Sequence, residues 1–529
     1  MRRLLVLTAA LIVVCALDGR GQQVDDLSPR VWPSGEYARL LAAQNVMRTS
    51  AGAATGYGGA VTVAYNGIAA RAGLEALAKG GSAIDAALTA AVTQVAATAG
   101  APISYFGIMS LVYYDASTKQ VYTMNAEWNT IRGETSPATI PGSINMASPE
   151  GLRGTAVSGR TALVGGFMKG VGAAHARFGR LPFARIFDTA IHLADEGMPV
   201  TDALAGKFEF RREDLSRLPE TRAIFLKADG STYRAGDTFK QPALASTLRR
   251  VAADGTDYIY KGPWAQKLVA AVQRDGGLMT LEDLANYDVQ WSAPVHGDIG
   301  PYRIYTNPPP NAGGLNLIEA QQMAVASGLA RGPHWTESGA ALRTALDITQ
   351  AHSLGYLPDA TLRQVLPGVR TAINIDGISI GDPASFQQSQ IARVSPGSRL
   401  PAPTETGIVF RDGQPWVAFA SMGSGLHQRT FQALTNMLHF GMSVEEAVNA
   451  ADFLMPATDL TNGQLTFRVP AGRFPKHVLD AVGYQYAEVD PSDVRFGGEG
   501  LWVAISRDPL TGLLRAASHN RNNSAAFAR

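Results

Sequence analysis

Side chains able to do chemistry are sparse and scattered in this sequence. There are nine histidines and one cysteine in 529 residues. His175 and His192 fall on predicted helices, and His427 and His439 flank another; none stands at metal-ligand spacing from a second histidine, aspartate or glutamate. The pattern predicts no metal site and no cofactor, and gives these rings surface or helix-end roles. Cys15 lies in an apolar N-terminal run, so a chain trimmed of that run would hold no disulfide, thiol nucleophile or cysteine-ligated metal. Met422-Gly423-Ser424-Gly425 sets a serine between glycines, but it is not the Gly-x-Ser-x-Gly elbow of a serine hydrolase.

The elements that must position any site are easier to read. In residues 69–91, AARAGLEALAKGGSAIDAALTAA, one Ala- and Leu-rich helix stops at Gly80-Gly81 and a second starts at once. Ser82 is its N-cap and Asp85, three residues on, its capping-box partner. Residues 108–114 and 121–125 predict a hairpin, and so do 407–410 and 416–421 about the Asp412-Gly413 turn. Helices are expected over 36–46, 165–177, 186–196, 244–253, 265–275, 315–326, 338–355 and 428–440, with Thr280 and Ser443 capping two more. Strands are expected over 61–65, 295–306, 464–468 and 501–505, and loops over 50–60, 208–238 and 371–403. Strands at both ends with helices between them suggest a layered α/β domain.

Bulk properties narrow the function. The chain is 46% hydrophobic and 17% charged, with 46 Lys+Arg against 45 Asp+Glu and a net charge of +1. No basic run interleaved with aromatics appears, which argues against nucleic-acid binding. Residues 1–23, MRRLLVLTAALIVVCALDGRGQQ, have a positive start, a short apolar stretch and a polar follow-on. They read as a secretory signal peptide over residues 1–21, which predicts a periplasmic or secreted protein with no stable membrane insertion after cleavage.

Several segments, in order, resemble one family. The helical corner is similar to the one near the start of the large subunit of γ-glutamyltransferases. HARFGRLPFARIFDTAIHLADEGMPV (175–200), YIYKGPWAQKLVAAVQRDGGLMTLEDLANY (258–287), PYRIYTNPPPNAGGLNLIEA (301–320) and FGMSVEEAVNAADF (440–453) resemble later segments of the same family. DPLTGLLRAAS (508–518) is similar to its C-terminal ending, without the closing Asp-Pro-Arg. The resemblance implies an α+β fold, the four-layer αββα sandwich of N-terminal-nucleophile (Ntn) hydrolases, with two stacked antiparallel sheets flanked by helices. It implies an irregular lead-in over 22–60, a large-subunit-like region over 61–403 and a shortened small-subunit-like region over 404–529, together one intertwined domain.

The family reaction is γ-glutamyl transfer or hydrolysis on glutathione-type compounds. Self-cleavage frees a threonine whose hydroxyl attacks the γ-amide carbonyl, needing no metal or cofactor. The family's string around that threonine does not occur here. Placing residues 404–425 on a later family segment removes the nucleophile altogether. Placing the Asp412-Gly413 turn after the nucleophile sets Pro403 at the catalytic position and Thr404 one residue late. Thr404 is then the candidate nucleophile, with Thr406 a weaker one, and an ordinary strand-edge threonine is the competing reading. Backbone N–H groups of Gly423 and Ser424 are the candidate oxyanion hole. Met124-Asn125-Ala126-Glu127 puts glutamate where the family's substrate arginine belongs, so Arg132 is the candidate for a substrate carboxylate. The bulky run Ser104–Ser110 (SYFGIMS) replaces a glycine-rich one. Three functions follow: a γ-glutamyl enzyme on small-molecule γ-glutamyl compounds, an inactive homologue that binds a ligand or partner, and an amidase of altered specificity using Thr404.

Overall fold

The computed structural model describes residues 26–45, 52–100, 103–136, 158–356, 371–376, 378–381, 394–423, 425–458, 463–490, 500–520 and 523–529. The expected signal peptide with Cys15 lies outside these residues, as does Ser424. Among the described residues no helix is long and apolar enough to cross a membrane.

The helical corner forms as its spelling predicts. Helix α1 (Gly67–Ala78) ends before Gly80, whose φ of +86° is the left-handed conformation glycine adopts without strain. Helix α2 (Ala83–Ala97) begins with the complete Ser82–Asp85 capping box. The corner is rich in Ala and Gly because the helices touch backbone to backbone: a Cβ on Gly73 would lie 2.8 Å from the Ala86 carbonyl oxygen. Asp85 does more than cap. It is fully buried, and its Oδ2 accepts the Ser82 N–H at 2.7 Å and the Arg180 N–H at 2.8 Å. One carboxylate thus ties the corner to the turn that follows helix α3 (Phe167–Phe178).

Two antiparallel sheets stack at the centre. The larger runs in the order β1 (Gly52–Gly56), β10 (Leu514–Ser518), β9 (Leu501–Arg507), β8 (Gln414–Met422), β7 (Glu405–Arg411), β6 (Tyr302–Thr306) and β5 (Val295–Ile299). Every neighbouring pair in it is antiparallel. Strands from both sides of residue 404 therefore interleave in one sheet. The smaller sheet joins β2 (Met109–Asp115), β3 (Gln120–Ala126) and β4 (Gln290–Ser292). The sheets meet face to face at Tyr114 and Phe410, whose rings lie edge-on with centroids 5.3 Å apart, and at Ser110 and Thr406, whose hydroxyls are 3.4 Å apart.

Helices close both outer faces. On the small sheet α3 lies so near that a Cβ on Gly170 would sit 2.9 Å from the Ala126 Cβ. On the large sheet lie α4 (Gly313–Ala326) and α6 (Leu426–Leu438), with α5 (Gly339–Tyr356) beside them. Ile304, Leu317, Val409, Phe419, Leu434 and Trp502 form the core between this sheet and its helices. Each such side chain taken out of water stabilises the fold by about 1.5–3 kcal/mol before chain entropy is counted. The order helix, sheet, sheet, helix is the expected αββα sandwich.

Three stretches expected as loops are ordered elements. Within 50–60, residues 52–56 form β1 because the exposed edge of β10 pairs with them, although a Gly-Ala run has little strand preference of its own. Within 208–238, Asp202–Phe210, Arg212–Arg217 and Pro219–Phe225 are short helices. Within 371–403, Thr371–Ile375 and Ile378–Gly381 pair as a hairpin.

Candidate active site at the start of a central strand

Strand β7 is flanked by β6 and β8, and Thr404 is the residue just before it. The Pro-Pro-Pro-Asn-Ala-Gly-Gly segment between β6 and α4 packs directly on this point. Asn311 bridges to Ala402, and the Ala312 N–H donates to the Ala402 carbonyl at 3.2 Å. A Cβ on Gly313 would lie 2.4 Å from the Pro403 carbonyl oxygen, and one on Gly314 would lie 2.0 Å from the Thr306 hydroxyl. No side chain fits at either position, so the glycines are demanded by the backbone and hydroxyl they cover.

The Thr404 hydroxyl is held from two sides. It accepts from the Asn311 amide nitrogen at 2.9 Å and donates to Glu127 Oε1 at 3.1 Å. Glu127 follows β3 and is fully buried. Burial pushes its carboxyl up to about 7, against the opposing pull of the Thr404 hydroxyl, the Arg399 guanidinium and Asn311. Its second oxygen has no hydrogen-bond partner among the described residues.

A closed ring of hydrogen bonds supports this pair. Asn125 donates to Asn311 Oδ1 at 2.6 Å. Arg399 Nη1 donates to Asn125 Oδ1 at 2.7 Å and to the Tyr287 hydroxyl at 2.8 Å, while Nη2 donates to the Asp288 carbonyl at 2.6 Å. The Tyr287 hydroxyl donates in turn to the Glu127 carbonyl at 2.5 Å. Such a network fixes rotamers that a lone threonine and carboxyl would not keep. Chemically, a hydroxyl hydrogen-bonded to a carboxyl that titrates near neutrality can serve as a nucleophile beside a general base.

The other sequence candidates fall elsewhere. Arg132 does not join this cluster: its guanidinium pairs with Glu282 at 2.6 Å, and both side chains are more than half exposed. Thr406 points to the same face as Thr404 but meets Ser110 of the small sheet. Gly423 is exposed, has a φ of +92°, and follows β8 at the end where β7 begins, two residues beyond the Ser421 that pairs with Glu405. Arg399, Tyr287 and Asn311 were not singled out by sequence. Asn311 sits in a legible Gly-Gly turn, whereas nothing local marks Arg399.

On the opposite face of β7 is a second polar group. Glu405, with no exposed surface, lies 3.0 Å from His352 Nε2 of α5 and 2.5 Å from His427 Nδ1 at the start of α6. Burial works against ionising Glu405, but the flanking histidines outweigh it and hold the carboxyl at about 2. Burial drives His352 toward its neutral form. Sequence spacing could not reveal this group, because its members lie on three elements far apart in the chain.

Comparison with known proteins settles the family. The family model described as Gamma-glutamyltranspeptidase matches residues 69–350 and 375–528, which is most of the chain. The chain belongs to the γ-glutamyltranspeptidase family. A glutathione hydrolase proenzyme of Bacillus subtilis (strain 168) is 33% identical over 256 residues, covering 48% of this chain and 42% of that protein. The Acylase ACY 1 proenzyme of Pseudomonas sp. (strain SE83) is 30% identical over 277 residues, covering 49% of this chain and 46% of that one. The chain thus spans less than half the length of either relative. Among solved structures, cephalosporin acylase from Bacillus halodurans superposes with a TM-score of 0.70 over 92% of this chain and 97% of its own, at 20% identity. This likeness bears out the Ntn-hydrolase fold.

Proposed function

We propose that this γ-glutamyltranspeptidase-family protein cuts itself between Pro403 and Thr404 and then uses Thr404 to transfer or hydrolyse γ-glutamyl groups of glutathione-type compounds. One observation carries the reading: the Thr404 hydroxyl donates to a buried carboxyl near neutrality while accepting from Asn311. In the first step Glu127 takes the hydroxyl proton and Oγ1 attacks the Pro403 carbonyl carbon. The Pro403–Thr404 C–N bond breaks, an ester to Oγ1 forms, and the freed amine takes up the proton. Water then hydrolyses the ester, leaving a Pro403 carboxylate and an N-terminal Thr404. The free amine serves as base for the second attack, on the substrate amide. Backbone N–H groups of Gly423 and Ser424 are the proposed donors to the oxyanion, a contribution typically worth about 10²–10³ in rate. The proenzyme names of both relatives support processing, and the apolar start of the sequence supports export.

A second reading, an acylase of altered specificity using the same hydroxyl, is favoured by one specific observation. Arg132 is turned away to Glu282, and both terminal nitrogens of Arg399 are committed within the network. An arginine fork for the α-carboxylate of a γ-glutamyl donor is therefore not provided by either. The test compares chromogen release from a γ-glutamyl anilide with release from a simple acyl anilide, by wild type and by Thr404→Ala. Release of either by wild type and by no Thr404→Ala preparation is the expected result, and the preferred anilide separates the two readings. An intact chain inert toward both would leave the inactive homologue as the answer.

A further inference from the structure

The reverse face of the nucleophile strand carries chemistry that the family reaction does not use. Side-chain ligand atoms of His352, Glu405 and His427 all lie within 4.8 Å of one another. They come from three element ends that converge: the C-terminal part of α5, the first residue of β7 and the first turn of α6. The two imidazole rings stand edge-on with centroids 5.1 Å apart. His352 Nε2 faces Glu405 Oε1 at 3.0 Å, but His352 Nδ1 and Glu405 Oε2 make no hydrogen bond among the described residues, although both side chains are fully buried. Buried polar atoms left this way cost free energy unless something else completes them. Ser421, directly across the ladder from Glu405, does not complete them, because its hydroxyl donates to the Leu426 carbonyl at 3.3 Å.

We propose that His352, Glu405 and His427 bind one divalent transition-metal ion of the zinc class. Two imidazoles and a carboxylate form a set that zinc accepts with one coordination position left for water, and nitrogen donors disfavour calcium and magnesium. The ion ties α5 and α6 to the residue after Thr404, and so fixes the start of β7 from the face opposite the nucleophile. Its role is positioning, and it takes no part in the acyl chemistry.

The test uses full-length protein stripped with a chelator and titrated with Co²⁺, then with competing Zn²⁺. Visible d–d absorption that saturates at one equivalent, is displaced by Zn²⁺ and accompanies a rise in Tm is expected for wild type. His352→Gln and Glu405→Gln should each weaken binding by more than the roughly 10–100-fold that follows loss of an outer-shell partner. Should those buried variants fail to fold, His427→Gln serves, since that side chain is 11% exposed. Absence of the Co²⁺ spectrum and of a Zn²⁺-dependent Tm shift in wild type would overturn the proposal. So would a spectrum unchanged in every variant that folds. These readouts do not depend on turnover, so they stand or fall separately from the reading of Thr404.

Discussion

The two faces of one strand end differ in a way that explains what each can do. Toward the small sheet, Thr404 meets a carboxyl that burial raises to about 7, against the pull of the Arg399 guanidinium. Toward the helices, Glu405 meets two imidazoles and its carboxyl is held at about 2. Both carboxyls are fully buried, so desolvation alone does not separate them. Their partners do: a hydroxyl and an amide leave Glu127 able to exchange a proton near neutrality, while paired histidines keep Glu405 ionised. The first arrangement suits a base and the second suits a fixed anchor.

The sharpest way to break this contrast is to neutralise each carboxyl in turn. Glu127→Gln should slow processing by about 10²–10⁴-fold, the usual contribution of a positioned base. In wild type the processing rate, followed on freshly refolded chain, should rise through a pH near the raised value of about 7, and Glu127→Gln should abolish that inflection. Burial sets its position first, opposed by the Thr404 hydroxyl, the Arg399 guanidinium and the Asn311 amide. Glu405→Gln should leave the inflection where it is, since that side chain faces the helices.

Stability gives the next largest effect, and its sign is unusual. The folded Glu127 carboxyl titrates near 7 against 4.5 for its ordinary value, so between those pH values the folded chain holds a proton that the unfolded chain has released. Stability from this group is therefore greatest below 4.5, falls as pH rises toward 7, and is level above it. The loss is at most about 3 kcal/mol. Denaturant melts of Thr404→Ala, which removes the proposed nucleophile, should show this decline, and adding Glu127→Gln should flatten it while making the protein more stable at pH 8.

How far the sequence disclosed all this depends on the kind of signal. The corner at 67–97, the capping boxes at Ser82, Thr280 and Ser443, and the hairpin at Asp412-Gly413 were legible because caps and turns are written in neighbouring residues. Strand β1 was not legible, because its order comes from the edge of β10, more than four hundred residues away in sequence. Thr404 could be named from its place before a hairpin, but its partner Glu127 showed only as a departure from the expected arginine. Arg399 had no local mark at all. Arg132 had the better motif and the wrong location. The histidines were set aside because spacing along the chain says nothing about α5, β7 and α6 meeting at their ends.

The smallest expected effect concerns that misplaced arginine. Arg132→Ala removes an ion pair between two largely exposed side chains, and should change stability by less than about 0.5 kcal/mol. It should leave the KM of whichever anilide is turned over unchanged. A large rise in KM would place the substrate carboxylate at Arg132 after all, and would weaken the contrast drawn from Arg399.

The most direct measurement is the mass of the purified protein under denaturing conditions, with sequencing of any new N-terminus. Thr404 as a poised nucleophile predicts two fragments, the smaller beginning Thr404-Glu405-Thr406, and a single intact chain for Thr404→Ala. A wild-type chain that stays whole after prolonged incubation above pH 7, or a cut that persists in Thr404→Ala, would contradict it.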